Sequence, residues 1–258
     1  MQDLNISLIQ FDISWEQKKE NLEKLSELIK LIDRPTQLIV LPEMFTTGFT
    51  MRPQRFAEPM NGETQAWMKE KATETGAVIC GSIIVEEAGN YYNRMIWMAP
   101  DGNFVTYDKR HLFSLAGEEN HYAAGEKQVV TDLQEWRCSL QICYDLRFPV
   151  WCRSKKDFDV QFFIANWPDR RVNAWRNLLV ARAIENQSYV VGVNRVGYDG
   201  NEVYHSGHSM VVSPEGDIVW TSADNEAVKT ITLSSEKLSE FRDKFRFLDD
   251  MDKFEIRV

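Results

Sequence analysis

The chain has 258 residues, 43% of them apolar and 27% charged, which is ordinary for a globular protein. Thirty basic residues against 39 acidic ones give a net charge of −9, which argues against a general nucleic-acid or membrane-surface binder. No stretch approaches the roughly 18 apolar residues of a transmembrane helix, and the N-terminal sequence MQDLNISLIQFDISW lacks the features of a secretory signal.

The first part of the chain predicts alternating strands and helices. Asn5–Phe11 is a short β-type run, and Trp15–Ile32 keeps leucine and isoleucine at helical spacing. Gln37–Leu41 is a continuous apolar run, ended by a proline, of the type found in buried strands. Thr64–Thr73 predicts a helix, and Gly76 just beyond it is a stop signal.

The middle and the end of the chain predict mostly strands. Ala77–Val85 and Tyr91–Ala99 are two strands, and a turn with the sequence PDGN precedes a third at Phe104–Leu112. A polar loop continues through Gly125. The later predicted elements are, in order, strands Arg137–Cys143 and Asp159–Ala165, a helix at Val172–Gln187, and strands Tyr189–Asn194, His208–Ser213 and Asp217–Trp220.

This order of elements predicts an α/β fold in which helices cover sheets. Strand–helix passages occur before Gly76 and again after Arg137, which hints at internal pseudo-symmetry. No low-complexity linker interrupts the chain, so we expect a single domain over residues 1–258, with residues 241–258 as a C-terminal tail. The four cysteines lack C-x-x-C spacing, which favours a reducing compartment and predicts a cytoplasmic protein.

Three polar residues lie in or just after apolar strands. Glu43 follows QLIVLP, Lys109 lies in FVTYDKRHLF, and Cys143 ends SLQIC. Strand ends are where open α/β sheets collect ligands and catalytic groups. Each residue alone is more often a solvated loop or packing residue, but together they comprise a base, a cation and a nucleophile. Motifs for nucleophile elbows of the G-x-S-x-G type, phosphate loops, dinucleotides and zincins do not occur.

The motifs LPEMFTTGF, YDKRHLF and ICYDLRFP, in that order, resemble the three catalytic motifs of the nitrilase superfamily of carbon–nitrogen hydrolases. The resemblance continues through FFIANWP, WRNLLVARAIENQSYVVGVNRVG and GHSMVVSPEGDIV, and so covers nearly the whole chain. It implies a four-layer αββα sandwich and a catalytic set of Glu43, Lys109 and Cys143. The family's second glutamate precedes a glycine by seven residues, which selects Glu118, with its neighbour Glu119 as the alternative.

The chemistry of these residues agrees with that set. A free thiol has a pKa of about 8.5 and needs a base or a cation to become a good nucleophile at neutral pH. Glu43 can take the proton of Cys143 as the sulfur attacks an amide carbon, and can later activate water. Lys109 and the backbone N–H of Tyr144 are the expected donors to the oxyanion. Glu118 would position Lys109 or the amide, and no metal or organic cofactor is required.

Other residues near the motifs have two readings. Asp145 and Arg147 follow the cysteine and are expected to fix the turn as structural ion-pair members and not as catalysts, although Arg147 is also a candidate for binding a substrate carboxylate. Phe113 and Trp167 are candidates for lining the pocket, although buried aromatics are usually core residues. The basic pair Arg170–Arg171 could attract an anionic substrate or lie in a solvated loop.

The resemblance is strongest to the bacterial omega-amidase branch, which hydrolyses the terminal amide of short dicarboxylate monoamides, notably 2-oxoglutaramate. The expected partner is therefore a small-molecule amide, and neither nucleic acid nor membrane. N-carbamoyl amide hydrolase and nitrilase activities remain open, as do a Cys–His hydrolase using His205 or His208 and a non-catalytic binding protein. The apolar residues of the tail predict a homodimer with residues 241–258 at or near the interface.

Overall fold

Two β-sheets pack face to face, and α-helices cover the outer face of each, so the expected four-layer αββα sandwich is confirmed. The structure is a computed structural model that describes residues 1–257. Its strands are β1 (Leu4–Gln10), β2 (Leu38–Val40), β3 (Val78–Glu87), β4 (Asn90–Met98), β5 (Phe104–Asp108), β6 (Val130–Leu133), β7 (Trp136–Ile142), β8 (Val160–Ala165), β9 (Tyr189–Asn194), β10 (Val196–Tyr198), β11 (Tyr204–Val212), β12 (Ile218–Ala223) and β13 (Ala227–Leu233). Its α-helices are α1 (Lys18–Ile29), α2 (Pro53–Phe56), α3 (Glu63–Thr75), α4 (Pro149–Cys152), α5 (Val172–Asn186) and α6 (Ser235–Lys244).

Both sheets have three parallel strands at their centre. The first sheet has the order β13-β1-β2-β3-β4-β5, and β1, β2 and β3 are parallel. The second has the order β10-β11-β9-β8-β7-β6, with β12 also paired to β11, and β7, β8 and β9 are parallel. Because parallel strands end at the same edge, each sheet presents several strand ends together.

Alternation along the strands divides the core into three layers. Val40 and its counterpart Phe162 in the second sheet belong to the cluster between the sheets. Ile39, one position before Val40, points the other way, into a cluster with Leu25 of α1 and Met68 of α3. Fully burying one such aliphatic side chain contributes about 1.5–3 kcal/mol, so a charged residue at either strand position would disrupt a layer.

Local sequence signals account for several element ends. The α3 helix ends at Gly76, whose φ of 66° is left-handed, as the predicted glycine stop requires. The α6 helix begins after Ser234, whose side chain accepts a hydrogen bond from the Lys237 amide. No helix among residues 1–257 is long and apolar enough to span a membrane.

Some predicted boundaries were wrong. The strand expected at Phe104–Leu112 ends at Asp108, because the chain turns inward and Lys109 is fully buried. Strands β6, β10 and β13 and helices α2, α4 and α6 have no predicted counterpart. The pairing of β13 with the full length of β1 is a contact between the two ends of the chain, which local patterns do not reveal.

Candidate active site

The chemically active side chains lie where strands of both sheets end. Glu43 follows β2 of the first sheet, and Lys109 directly follows β5 of the same sheet. Cys143 directly follows β7 of the second sheet, and Asn166 directly follows β8. The site therefore lies at the carboxyl edges of the parallel strands, where such sheets usually bind ligands.

Cys143 occupies a sharp turn that starts where its strand ends. Its φ is 47°, in the left-handed region that non-glycine residues rarely adopt, and residues Cys143–Arg147 form a short 3₁₀ turn. The strand was predicted to include Cys143, but it ends at Ile142. Non-glycine residues with a left-handed backbone conformation cluster at functional sites, because the surrounding contacts must hold them in that conformation.

Asp145 supplies the contacts that hold this turn. One carboxylate oxygen accepts hydrogen bonds from the Ile142 amide at 3.0 Å and from the Tyr107 hydroxyl at 2.6 Å. The other oxygen accepts from the His111 amide at 2.9 Å and contacts His111 Nδ1 at 2.8 Å. Asp145 therefore ties the cysteine turn to the segment after Lys109 through His111, whereas Arg147, also expected to be a structural ion-pair member, forms no ion pair among residues 1–257.

Glu43 is fully buried, and neighbouring donors fix both its carboxylate oxygens. Oε1 accepts from Asn93 Nδ2 at 2.7 Å and from Lys109 Nζ at 3.0 Å. Oε2 accepts from the Asn166 amide at 2.8 Å. These contacts hold the carboxylate in one orientation, as a general base requires.

Lys109 lies between two buried carboxylates. Its Nζ donates to Glu43 and to both oxygens of Glu118, at 2.9 and 3.1 Å, and all three side chains are fully buried. Glu118 Oε2 also accepts from the Phe113 amide at 2.6 Å. The neighbouring Glu119 is exposed. An ammonium has three N–H donors, so one becomes free for a substrate oxygen when a single N–H serves both oxygens of Glu118 and another serves Glu43.

The glycine seven residues after Glu118 also has a structural reason. The Gly125 amide donates to the Lys109 carbonyl at 2.9 Å. A Cβ at this position would lie 2.1 Å from the Asp108 carbonyl oxygen, so only glycine fits against the end of β5. This contact holds the backbone from which the Lys109 side chain projects.

The pKa shifts indicate how protons are distributed at rest. Burial raises the pKa of the Cys143 thiol well above its ordinary value, and the charge of Glu43 raises it further, against the opposing effect of Lys109. Burial disfavours the charge of Lys109, but Glu118 and Glu43 outweigh it and raise the lysine pKa. Burial also raises the pKa of Glu118. The resting site therefore contains a neutral thiol and a charged ammonium at neutral pH, so the thiol needs a base.

A cavity of about 290 Å³ opens onto these groups. This volume lies near the lower end of the roughly 300–1,000 Å³ usual for ligand pockets, which indicates a small substrate. The predicted residues Phe113, Tyr144, Arg147 and Trp167 all line the cavity. Aromatic rings support its wall, since Phe113 and Tyr144 pack edge to face at 5.0 Å.

His205 also lines the cavity, but it is poorly suited to act as a base. Its Nδ1 lies 3.0 Å from the Val203 carbonyl oxygen. Burial lowers the pKa of His205 to about 4, with a further contribution from Arg195. At neutral pH the imidazole is uncharged, and its recorded hydrogen bond is to the backbone and not to Cys143.

Sequence reasoning missed three contributors to the site. Asn93 and Asn166 both bond Glu43, and Asn166 had a usable signal, because it is a polar residue directly after a buried strand. Asn93 lies inside β4, where no pattern distinguishes it. The side chain of Phe49 packs against Lys109, with Nζ 4.9 Å from the ring centroid. Among residues 1–257, no group of three or more His, Cys, Asp or Glu side chains is arranged to hold a metal ion.

Comparison with known proteins gives consistent matches over the whole chain. The carbon-nitrogen hydrolase family matches residues 5–243. Omega-amidase YafV of Yersinia enterocolitica is 41% identical over 255 residues, which cover 98% of this chain and 99% of that protein. A 2-oxoglutaramate amidase of Bacillus subtilis is 32% identical and covers 96% of this chain and 97% of its own length. A solved CN-hydrolase superfamily protein of Xanthomonas campestris, with an arsenic adduct in its active site, superimposes with a TM-score of 0.97 at 40% identity, covering 100% of both chains.

Proposed function

The chain belongs to the carbon–nitrogen hydrolase family and hydrolyses amides, and we propose that its substrates are short dicarboxylate monoamides such as 2-oxoglutaramate and succinamate. The observation that supports this most directly is the buried Glu43–Lys109–Glu118 cluster beside the strand-end thiol of Cys143, at a small cavity. The products would be the dicarboxylate and ammonia.

The first half of the reaction acylates Cys143. Because burial keeps the thiol neutral, Glu43 must accept its proton as the sulfur attacks the amide carbon. The carbonyl oxygen then carries negative charge, which the third N–H of Lys109 and the amide N–H of Tyr144 stabilise. One such donor contributes about 2.7–4 kcal/mol in the transition state. Protonated Glu43 gives its proton to the departing nitrogen, ammonia leaves, and a thioester remains on Cys143.

The second half hydrolyses the thioester. Glu43, again ionised, removes a proton from a water molecule that attacks the thioester carbonyl. The same donors stabilise the second oxyanion, the sulfur leaves with a proton from Glu43, and the acid is released. We assign to Glu118 the role of holding Lys109, since it accepts two contacts from the ammonium and one from the Phe113 amide.

The test is a substrate panel. Ammonia release should be fastest with 2-oxoglutaramate and succinamate, and slower with simple aliphatic amides, N-carbamoyl amino acids and nitriles. A preference for a nitrile or a carbamoyl compound would refute this substrate class while leaving the family assignment intact. A Cys–His mechanism would instead predict that Glu43→Gln keeps most of its turnover.

We also propose that residues 1–258 form a single hydrolase domain, and that two copies of the chain associate as a homodimer in the cytoplasm. The four unpaired cysteines favour a reducing compartment. In the tail, Leu248 is buried on the chain itself, but Phe247 is 61% exposed and, with Met251 and Phe254, lines an open groove beside Val150, which is 58% exposed. Deletion of residues 241–258 should give monomeric or insoluble protein. Sedimentation of the intact protein as a monomer at micromolar concentration would refute the dimer.

A further inference from the structure

Three arginines line the active-site cavity, Arg147, Arg170 and Arg171, and the two partly buried ones, Arg147 and Arg171, have no carboxylate partner within residues 1–257. Arg147 and Arg171 both face it, and within residues 1–257 neither side chain forms an ion pair or a hydrogen bond to the protein. The buried Arg94, by contrast, is paired with Asp108 and Glu87. An unpaired charge that has lost part of its water is unfavourable unless an anion binds it.

Arg171 is held in position from two sides. Its guanidinium carbon lies 4.9 Å from the centroid of the Phe113 ring, a distance at which a cation is attracted to the ring face. Its backbone carbonyl accepts a hydrogen bond from Trp167 Nε1 at 2.8 Å. The ring of Trp167 in turn supports Arg147, whose guanidinium carbon lies 4.9 Å from it. The predicted pocket residues Phe113 and Trp167 therefore support the two cations.

Neighbouring groups affect the pKa of Arg171 in opposite directions. Partial burial lowers the pKa of Arg171, the positive charges of Arg170 and Arg147 lower it further, and Cys143 raises it. A guanidinium still remains protonated in proteins. The neighbouring Arg170 also lines the cavity, but its side chain is exposed, so water and salt screen its charge better than that of Arg171.

A carboxylate within the protein does not satisfy this cation. Asp199 also lines the cavity, but its Oδ1 accepts from the backbone amides of Asn201 and Val203 at 2.8 and 3.0 Å. It is therefore held within its own turn. Glu43, the other cavity-lining carboxylate, is occupied by Lys109 and the two asparagines described above.

We propose that Arg171 binds the carboxylate at the far end of the substrate and thereby selects anionic over neutral amides. This inference rests on the proposed function and adds the residue responsible for its specificity. The guanidinium offers a planar pair of donors that matches a carboxylate. Arg147, on the same turn as Cys143, adds positive charge, but Arg171 is on a separate element, so its replacement leaves the nucleophile turn intact.

Comparison of succinamate with succinamide separates recognition of the far carboxylate from binding and cleavage of the amide. They share the scissile amide and chain length, and differ only in having a carboxylate or a neutral amide at the far end. For Arg171→Met we expect kcat/KM for succinamate to fall about 10²-fold, the scale for truncating one partner of a desolvated charge pair. For succinamide it should change little. Arg171→Lys should recover part of the loss, because the charge is kept and the planar fork is not.

Arg176→Met is the matched control. Arg176 is an exposed arginine on α5, five residues along, and does not line the cavity. Succinamate and succinamide binding is also measured by calorimetry in a Cys143→Ala background. There, Arg171→Met should weaken only succinamate binding, which distinguishes carboxylate recognition from general disruption of the site.

The outcomes separate this inference from the proposed function. If the parental enzyme does not prefer succinamate to succinamide, the proposed substrate class fails, and this inference fails with it. If the parental enzyme shows the preference and Arg171→Met keeps it, only the role of Arg171 is overturned. If Arg171→Met lowered turnover and binding equally for succinamate and succinamide, the role of Arg171 would also be overturned, because a structural role would then explain the effect.

Discussion

Replacing Lys109 with methionine removes a buried cation while keeping the length of the side chain. With both carboxyl groups counted as ionised, Glu43, Glu118 and Lys109 have a formal charge of −1 in the parental site and −2 in the variant. Breaking a buried ion pair by removing one partner costs about 3–5 kcal/mol. At roughly 2–4 °C per kcal/mol for a chain of this size, Tm should fall by about 6–20 °C.

The same change should reduce turnover for a separate reason. The Lys109→Met variant loses one donor to the oxyanion, which costs about 10²–10³ in kcat. Two unpaired carboxylates at close range also favour protonation of one of them. Glu43 would then be a poorer base, and the loss in kcat should exceed the contribution of the donor alone.

A double variant distinguishes stability from catalysis. Lys109→Met with Glu118→Gln restores the formal charge of −1, so Tm should recover most of its loss, while kcat should stay low because the oxyanion donor is still missing. In Lys109→Met, a carboxyl group buried without a cation has a higher pKa in the folded state than in the unfolded state. The resulting loss of folding stability is present at high pH and disappears as the pH falls. The Tm deficit should therefore be smaller at pH 5 than at pH 8.

Thermal unfolding followed by circular dichroism measures the fall in Tm, and ammonia release from succinamate measures the fall in kcat. Near-parental kcat in Lys109→Met would refute the role of Lys109 at the oxyanion. Recovery of kcat in the double variant would show that the single change had acted only through charge balance.

Glu43→Gln should abolish both acylation and thioester hydrolysis, so rapid-quench experiments should show no burst of ammonia. As a control, Glu119→Gln, which changes the exposed residue next to Glu118, should behave like the parent. Asp145→Asn should lower kcat by at least about tenfold with little change in KM, because a weakened hydrogen-bond network loosens the nucleophile turn; unchanged kcat would contradict that role. A thiol alkylator should label Cys143 first, since the other three cysteines are fully buried, and its rate should rise with pH because the thiol pKa is raised; inactivation that tracked another cysteine would refute the assignment.

The sequence predicted the positions of the reacting groups better than their surroundings. Glu43 and Cys143 could be found because a polar residue at the end of an apolar strand breaks a local pattern. Their catalytic roles remain predictions, but the structure does bring their side chains to one cavity with Lys109. The choice between Glu118 and Glu119 was open in the sequence, and geometry places only Glu118 against the lysine.

Features that depend on contacts between distant segments could not be predicted. Asn93 of β4 contacts Glu43, which follows β2, although β3 lies between these strands in the sheet, and local sequence gives no indication of the contact. Asp145 was expected to fix the turn, but the sequence did not identify its contact His111, which lies 34 residues earlier in the chain. Arg171 had two equal readings, because an unpaired cation at a cavity and a solvated loop residue look alike in sequence.

The most direct test of the proposed chemistry is to identify the acyl group during turnover. The parental enzyme is acid-quenched while it hydrolyses succinamate, with hydroxylamine added in a parallel reaction, and its peptides are analysed by mass spectrometry. We predict an acyl group on the peptide that contains Cys143, formation of the hydroxamate, and no ammonia release by Cys143→Ala. An acyl group on another residue, or parental turnover by Cys143→Ala, would contradict covalent catalysis by this cysteine.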